Sequence, residues 1–202
     1  MSAAEKLEDY INVLKPNPII EYYTKIKQGE IIVSKKVERV YRHIIEDIIL
    51  NSDSEWEYDE EKANHVIEFI ERFTKHSKGS MAGKPFLLEL WQKAFVAVIF
   101  GIVHKVDGTR KYQEVILIVA RKNGKSTLAA AIGLYLLLAD GELGSEIYAV
   151  ATKKDQAKII WLEAKRMAQK SPTLAKRTRR LVAEIVSDYN DGVFKPLGRD
   201  SD

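Results

Sequence analysis

The run Gly124-Lys125-Ser126-Thr127 contains residue types that proteins use to hold phosphate groups. A glycine lets the backbone approach phosphate oxygens closely, the lysine after it reaches the terminal phosphates of a nucleotide, and the next hydroxyl ligates Mg²⁺. The β-forming residues 114–119 precede this run, and helix-forming residues follow from Leu128 onward. Strand, loop and helix in this order is the layout of a P-loop, where a helix N-terminus binds an anion. The segment therefore predicts a site for a nucleoside triphosphate and Mg²⁺.

The loop departs from the P-loop consensus, G-x-x-x-x-G-K-[ST], at its first position. The first glycine would fall at residue 119, which is a valine. The competing interpretation is a solvated basic turn between a strand and a helix, which could contain the same residues. The context favours a phosphate-binding loop, because the run before it is typical of a buried parallel strand and the run after it of a helix packed on a sheet. Arg121 and Lys122 would add positive charge near a γ-phosphate, although a solvated side chain is the simpler interpretation of Lys122.

Three segments of the sequence resemble the ATPase domain of phage terminase large subunits, the motors that package viral DNA. Residues 119–126 resemble the variant loop of that family, which contains an arginine and lacks the first glycine. Residues 85–92 end in Trp91-Gln92 and are similar to the family's adenine-recognition segment. Residues 146–157 resemble its second core strand and the helix that follows. Together the segments cover roughly residues 80–170.

The resemblance implies an ATP- and Mg²⁺-dependent ATPase that moves double-stranded DNA into a procapsid. It also implies a homo-oligomeric ring as the working form, with a portal protein and a small terminase subunit as partners, in the host cytoplasm and not at a membrane. Arg121 and Lys125 would act in catalysis, and Ser126 would ligate Mg²⁺. The residues implied to bind ATP are Gln92, Arg121, Asn123, Gly124, Lys125, Ser126 and Thr127.

Gln92 can also be interpreted without the resemblance. An amide side chain offers a donor and an acceptor side by side, which matches the N6/N7 edge of adenine. A polar residue on one face of an amphipathic helix is the competing interpretation, and only the resemblance favours contact with adenine. Trp91, the residue before it, is expected in the hydrophobic core rather than against a ligand.

The family's Walker B strand, catalytic glutamate and nuclease domain have no counterpart in the sequence, and we expect them after position 202. The chain would then be the amino-terminal part of a longer motor or a split gene product. We expect it to bind ATP but to hydrolyse it slowly, because nothing obvious polarises the attacking water. Asp188 comes closest to a Walker B carboxylate, but residues 189–194 predict a hairpin turn directly after it, so Asp188 is not expected to hold Mg²⁺.

Positive charge is concentrated between Lys153 and Arg180, where ten basic residues stand against two acidic ones in a chain of net charge +3. Such a stripe is typical of a surface that contacts DNA phosphates. A solvated helix face with basic residues near its C-terminal end, which complement the helix dipole, fits equally well. The residues predicted to contact DNA are Lys176, Arg177, Arg179 and Arg180.

Composition excludes several classes of site. The 202 residues include no cysteine, which rules out disulfides, thiolate metal ligands and a cysteine nucleophile. The four histidines are scattered, and none stands at a metal-binding spacing from another. The sequence has no signal-peptide pattern and no apolar run of about 18 residues, so we expect a soluble intracellular protein.

The order of elements predicts an α/β fold, namely an incomplete P-loop NTPase core with a parallel sheet flanked by helices, preceded by a helical amino-terminal extension. Residues 1–80 carry apolar positions at helical spacing, with Ser34 as an N-cap, and the polar connector 75–80 marks the boundary. Residues 81–202 would form the partial ATPase domain. Further predicted elements are a turn at Asp107-Gly108, a strand over 146–152 and a helix over 154–170.

Other functions remain open from the residues alone. Another P-loop ATPase acting on nucleic acid, such as a helicase-like enzyme, would share the loop, and so would a nucleotide kinase, although kinases usually keep the first glycine. A non-catalytic nucleic-acid-binding module would use the basic segment and carry a degenerate loop. Stimulation of ATP hydrolysis by long DNA rather than by a nucleoside separates the motor from the kinase. DNA binding without nucleotide binding would identify the module.

Overall fold

The computed structural model describes residues 17–198. Its helices are α1 (Pro18–Lys27), α2 (Lys35–Ile44), α3 (Glu60–Phe73), α4 (Leu90–Gly101), α5 (Lys125–Leu138), α6 (Lys154–Lys170) and α7 (Pro172–Arg177). Its strands are β1 (Trp56–Tyr58), β2 (Ile102–His104), β3 (Glu146–Ala151), β4 (Thr178–Arg180), β5 (Ile185–Ser187) and β6 (Val193–Gly198). A π-helical turn, Ile45–Ile49, continues α2, and a 3₁₀ turn covers Gly79–Met81. Within residues 17–198, no helix is both long and apolar enough to cross a membrane.

The chain forms two compact units, and each takes segments from separate parts of the sequence. The first unit combines the described residues up to Ile67 with Leu88–Ile116. The second combines Glu68–Leu87 with the described residues from Leu117 onward. The predicted boundary at residue 80 falls inside a segment of the second unit, so the units do not follow it. The assignment of functional domains to residues 1–80 and 81–202 stays a prediction.

The helices of the first unit begin at residues that cap them. The side chain of Asn17 accepts hydrogen bonds from the N–H groups of Ile19 and Ile20, both at 3.0 Å, where α1 begins. Ser34 caps α2 as predicted, by accepting a hydrogen bond from the N–H of Val37 at 3.4 Å. Helix α1 packs against both α2 and α4. Of the region predicted as helical, the described residues form α1, α2 and α3, with the unpredicted strand β1 between α2 and α3.

A two-stranded antiparallel ribbon, β1–β2, belongs to the same unit. The predicted turn at Asp107-Gly108 is present, because the N–H of His104 donates to the carbonyl of Thr109 at 2.9 Å. The second arm of that turn forms a single bridge, between Val103 and Arg110. β2 pairs over its full length with β1. β1 lies in the acidic stretch from Asp53 to Asp59, whose charges predict a loop rather than a strand.

The second unit contains a four-stranded sheet in the order β3-β6-β5-β4. β3 and β6 are parallel, with Glu146 opposite Val193 and Ala151 opposite Gly198. β5 runs antiparallel to both β6 and β4. The sheet is therefore mixed, and the prediction of a parallel sheet is wrong for β4 and β5. These strands and β6 follow one another through short connections, which allow antiparallel pairing, whereas parallel pairing needs a long crossover.

Helices α5 and α6 pack on one face of this sheet. Phe194 of β6, 2% exposed, lies against both helices, with its ring beside α5 and its backbone carbonyl bonded to α6. A Cβ atom on Gly133 of α5 would lie 2.7 Å from the Phe194 ring, and the indole N–H of Trp161 in α6 donates to the Phe194 carbonyl at 3.0 Å. On the other face, Tyr148 is 43% exposed and Val150 is 73% exposed. One face of the sheet is thus core and the other is open within the described chain.

Residues 114–119, predicted as a buried parallel strand, have no regular secondary structure. The side chain of Ile116 is 86% exposed and that of Ile118 is 89% exposed. This prediction is wrong for the described structure. A β-forming run becomes a strand only where a neighbouring strand accepts and donates its backbone hydrogen bonds, and no strand within residues 17–198 pairs with it.

Candidate functional site

Helix α5 begins directly after Gly124, which has left-handed backbone geometry with φ 71°. No side chain caps the start of this helix. The N–H groups of Lys125, Ser126 and Thr127 therefore lack an intrahelical acceptor, as the first-turn amides of every helix do. These amides and the helix dipole together make the start of α5 a place that favours an anion.

The loop before α5 contains a second left-handed residue, Lys122, with φ 69°. The side-chain amide of Asn123 donates to the carbonyl of Ala120 at 3.3 Å and links the two ends of the turn. Leu128, 1% exposed, anchors the first turn of α5 in the core, and its N–H donates to the Gly124 carbonyl at 2.9 Å. The loop is thus exposed on the outside and fixed at the point where the helix begins.

The chemistry of this end of α5 fits a nucleotide phosphate with Mg²⁺. Arg121 precedes the start of α5 and Lys125 is its first residue, and both are exposed cations. The hydroxyl of Ser126 is an oxygen ligand of the kind that Mg²⁺ prefers. Gly124 has no side chain to block an anion. Within residues 17–198, no group of three or more His, Asp or Glu side chains is placed to hold a metal ion.

Gln92 lies in the first turn of α4, in the first unit, and is buried with 3% of its surface exposed. Its side-chain oxygen accepts a hydrogen bond from the Glu89 N–H at 2.9 Å, and the Glu89 carboxylate accepts from the Gln92 N–H. This reciprocal capping box uses the acceptor side of the amide. The local structure accounts for Gln92 as a helix cap, and its predicted contact with adenine stays a prediction that would use its NH₂ group.

The four residues predicted to contact DNA lie at the end of α7 and in β4, in different environments. Lys176 and Arg177 are exposed. The Arg179 Nε donates to the Asp188 Oδ1 at 2.6 Å. One guanidinium nitrogen of Arg180 donates to the backbone carbonyl of Thr178 at 2.7 Å. Two of the four side chains thus hold their own strand and turn, and the prediction of DNA contact stays a prediction for the set.

The ion pair with Arg179 also affects Asp188, the residue that comes closest to a Walker B carboxylate in the sequence. Asp188 follows β5 and pairs with Arg179 across the β4–β5 hairpin. A carboxylate that is already paired with a guanidinium in an exposed hairpin is not free to ligate Mg²⁺ beside α5 without losing that partner. The expectation that Asp188 is not a magnesium ligand is consistent with this pairing.

Asn190 was not predicted from the sequence, although its side chain joins several segments of the second unit. Its amide NH₂ donates to the carbonyls of Leu137 and Glu142, both at 3.0 Å, and its side-chain oxygen accepts from the Gly192 N–H at 3.1 Å. The residue is 8% exposed. It thereby fixes the end of α5 to the β5–β6 turn. The Asn-Asp-Gly sequence signals the turn, but not the distant carbonyls that the amide reaches.

Comparison with known proteins places more than half of the chain in one family. The family described as "Terminase large subunit, ATPase domain" matches residues 90–202. A curated relative, the terminase large subunit of Enterobacteria phage HK97, is 32% identical over 114 residues, which are 56% of this chain and 21% of the relative. The crystal structure of the HK97 bacteriophage large terminase superimposes with a TM-score of 0.59 at 26% identity, over 70% of this chain and 28% of that chain. The chain thus spans well under a third of the length of the proteins that it matches.

Proposed function

Because the chain belongs to the family of terminase large-subunit ATPase domains, we propose that it is the nucleotide-binding part of a viral DNA-packaging motor. In this role the hydrolysis of ATP drives double-stranded DNA into a procapsid. The observation that carries the proposal is the uncapped start of α5, with left-handed Gly124 before Lys125 and Ser126, inside the residues that the family matches. A helicase-like ATPase, a nucleotide kinase or a non-catalytic module would not explain that match as well.

Each residue of the loop has a role that follows from its chemistry. The N–H groups at the start of α5, with Asn123 and Thr127 beside them, bind phosphate oxygens. Gly124 leaves room for the phosphates, Lys125 neutralises their charge, and Arg121 stabilises charge that develops on the γ-phosphate. For Gln92, contact with adenine stays a prediction, which would use the NH₂ group of its side chain.

Mg²⁺, when bound with ATP, would offset the negative charge of the phosphates. The Ser126 hydroxyl is the protein ligand that we assign to it. Within residues 17–198, the nearest match to a Walker B carboxylate, Asp188, is paired with Arg179. We therefore expect the chain to bind Mg·ATP firmly and to hydrolyse it slowly. Turnover at the rate of a complete motor, lost on Lys125→Ala, would contradict the second expectation.

The partners belong to the whole motor and are proposals for this chain. They are double-stranded DNA, a portal protein, a small terminase subunit and further copies of the chain in a ring, acting in the host cytoplasm. For DNA, the exposed Lys176 and Arg177 are better placed than Arg179 and Arg180, which have partners within the chain. We expect an Arg177→Ala variant to bind DNA more weakly and with a smaller salt dependence, because one phosphate contact is lost.

Calorimetric titration with Mg·ATP tests the proposed nucleotide site. Lys125→Ala should abolish measurable binding, since it removes the cation closest to the free amides. Lys35→Ala is a matched control, because Lys35 is the first residue of α2 as Lys125 is of α5, but α2 is capped by Ser34. Equal loss of binding in both variants, or no binding by folded wild-type protein, would contradict the proposal.

A further inference from the structure

We propose that the basic hairpin formed by residues 75–85 is a contact surface for the phosphates of duplex DNA. This inference rests on the proposed function, since it concerns the DNA that the motor would move. The hairpin lies before residues 90–202, which the family matches, and it contains none of the residues that the sequence predicts to contact DNA.

The hairpin is a closed turn with an exposed tip. Its arms pair through one antiparallel bridge, between Lys75 and Pro85. The N–H of His76 donates to the carbonyl of Lys84 at 3.0 Å. Every residue from 78 to 85 is exposed. The tip is therefore in solvent, although its backbone is held by the pairing of the arms.

Buried contacts fix the base of the hairpin within the second unit. The hydroxyl of Ser77, a residue 7% exposed, donates to Oε2 of Glu163 in α6 at 2.6 Å. Thr74, directly before the hairpin, is buried, and its hydroxyl donates to the carbonyl of Ile70 at 2.7 Å. Phe86, directly after the hairpin, is buried as well. The base is thus anchored while the tip is accessible to a partner.

The charges of the hairpin have one sign. Lys75, Lys78 and Lys84 are its lysines, and no Asp or Glu occurs from residue 72 to residue 88. Within residues 17–198, Lys78 and Lys84 have no ion-pair partner. The carboxylate that does contact the hairpin, Glu163, is bound to Ser77 at the base. The positive charge of the tip is therefore not offset by a neighbouring acid.

The helix under the hairpin continues this charge. Arg166 and Lys170 follow Glu163 by three and seven residues, so all three lie on one face of α6. Lys165, which lies beside them in sequence, instead donates to the carbonyl of Leu181 at 2.6 Å. The hairpin and this face of α6 meet at the Ser77–Glu163 hydrogen bond, and together they form one basic surface.

Duplex DNA fits this surface better than an acidic protein does. Protein interfaces are depleted of lysine and are centred on aromatic and arginine anchors, whereas residues 75–85 contain no Phe, Trp, Tyr or Arg. Solvated lysines suit the DNA backbone, because binding there is driven by neutralised phosphates and released counterions. Contacts of this kind position the duplex without reading its sequence.

Fluorescence anisotropy with a labelled duplex of random sequence, titrated with the full chain at several salt concentrations, tests the surface. The double variant Lys78→Ala/Lys84→Ala should bind more weakly, and the slope of log affinity against log salt should become shallower by about two. Lys35→Ala/Lys36→Ala is the matched control, because it removes the same charge from exposed positions at the start of α2. The control should keep the slope of the wild type.

The other outcomes overturn the inference or separate it from the proposed function. An equal effect of the two double variants would assign the loss to net charge and overturn it, as would no DNA binding by folded wild-type protein at low salt. Binding of poly-glutamate that requires Lys78 and Lys84, with DNA binding unchanged by their loss, would assign the hairpin to an acidic protein instead. DNA binding that needs the hairpin, in a chain that does not bind Mg·ATP, would support the inference and contradict the proposed nucleotide site.

Discussion

At the scale of single residues, Asn190 shows how one amide can hold separate segments together. Its two donor hydrogens and its acceptor oxygen are all used, by the carbonyls of Leu137 and Glu142 and by the N–H of Gly192. A buried amide that satisfies carbonyls at a helix end cannot be replaced by an acceptor without leaving those groups unpaired. The site is therefore sensitive to the chemistry of the side chain rather than to its size.

Asn190→Asp changes this chemistry at almost constant volume. The new carboxylate would face two carbonyl oxygens, so we expect a loss of about 1–3 kcal/mol in the free energy of unfolding at neutral pH. Urea denaturation measures this loss. Asn51→Asp is the control, because Asn51 is exposed, its side-chain oxygen accepts from the Asp53 N–H, and its NH₂ donates only a longer bond, 3.4 Å, to the Asp47 carbonyl. Equal stability of Asn190→Asp and wild type would show that the two carbonyls do not need the amide.

Asp107 makes a pH-dependent contribution to the turn after β2. Hydrogen bonds from the N–H and then from the hydroxyl of Thr109 lower the pKa of this carboxyl below its ordinary value of 3.8. A carboxyl with a lowered folded-state pKa stabilises the fold above its unfolded-state pKa, and this stabilisation is lost as the pH falls through the folded-state pKa. Acid should therefore weaken the turn.

Asp107→Asn tests this dependence. The wild type should melt at a higher temperature than the variant at neutral pH, and the difference should shrink as the pH falls below 3.8 and the wild-type carboxyl becomes protonated. Asp53→Asn is a control for an exposed carboxylate, which accepts a longer hydrogen bond, 3.5 Å, from Ser52. A difference in melting temperature that is constant across pH would contradict the assignment.

The sequence predicts the structural role of some residues, but for others it does not predict the hydrogen-bonding partner. Ser34 was predicted as a cap and is one, because a cap depends on residues within a single turn. Gln92 was predicted as polar and functional, and the structure gives it a local partner, Glu89. The pairing of Arg179 with Asp188 depends on a hairpin whose register the sequence does not specify. The roles of the loop residues from Arg121 to Thr127 stay predictions.

At the scale of elements, Gly133 determines how closely α5 approaches the sheet. A helix interior normally loses stability at glycine, so its presence in α5 requires a reason. The reason is Phe194 of β6, whose ring occupies the position that a side chain at residue 133 would need. The small residue in the helix and the large one in the strand are therefore complementary.

Gly133→Ala should destabilise the second unit although alanine favours helix. The added Cβ would lie 2.7 Å from a ring carbon of Phe194, which is almost fully buried and has no space to move. We expect a net loss of about 1–3 kcal/mol from overpacking, measured by urea denaturation. Phe194→Leu is the partner variant, and the double variant should recover part of the loss of Gly133→Ala. Strictly additive losses would contradict direct contact.

Helices and strands were predicted correctly where neighbouring residues determine them, and wrongly where they depend on a partner that is distant in the sequence. The helix predicted over residues 154–170 is α6, Lys154–Lys170, because its limits are set by the Ser171-Pro172 break. Residues 114–119 have the composition of a strand, but composition does not supply a hydrogen-bonding partner. The antiparallel part of the sheet escaped prediction for a related reason, since β4 and β5 have three residues each and are recognisable only once they pair.

At the scale of the whole molecule, the sheet of the second unit leaves apolar surface uncovered. β3 stands at one end of the strand order, so its outer edge has no strand partner within residues 17–198. Tyr148 and Val150 on this strand are exposed, and Leu197 on the neighbouring β6 is 37% exposed. Unpaired edges and exposed apolar patches of this kind promote association between chains.

We therefore expect this chain to self-associate as its concentration rises, as measured by sedimentation velocity. Val150→Lys should shift the distribution toward monomer, because a charge on an open edge opposes pairing. Val182→Lys is the matched control, since Val182 is 92% exposed but lies in the connection between β4 and β5. A wild-type chain that stays monomeric at all concentrations, or an equal effect of both variants, would contradict this expectation.

The position of Phe194 also has a consequence for how the protein is made. A ribosome releases α5 and α6 before β6, so during synthesis both helices have left the exit tunnel while Phe194, which lies beside α5 and accepts a hydrogen bond from α6, is still inside it. β3 must likewise wait for β6, its only parallel partner within residues 17–198. The second unit is therefore expected to close late and in one step, and a nascent chain stopped before Val193 should be held by chaperones rather than fold.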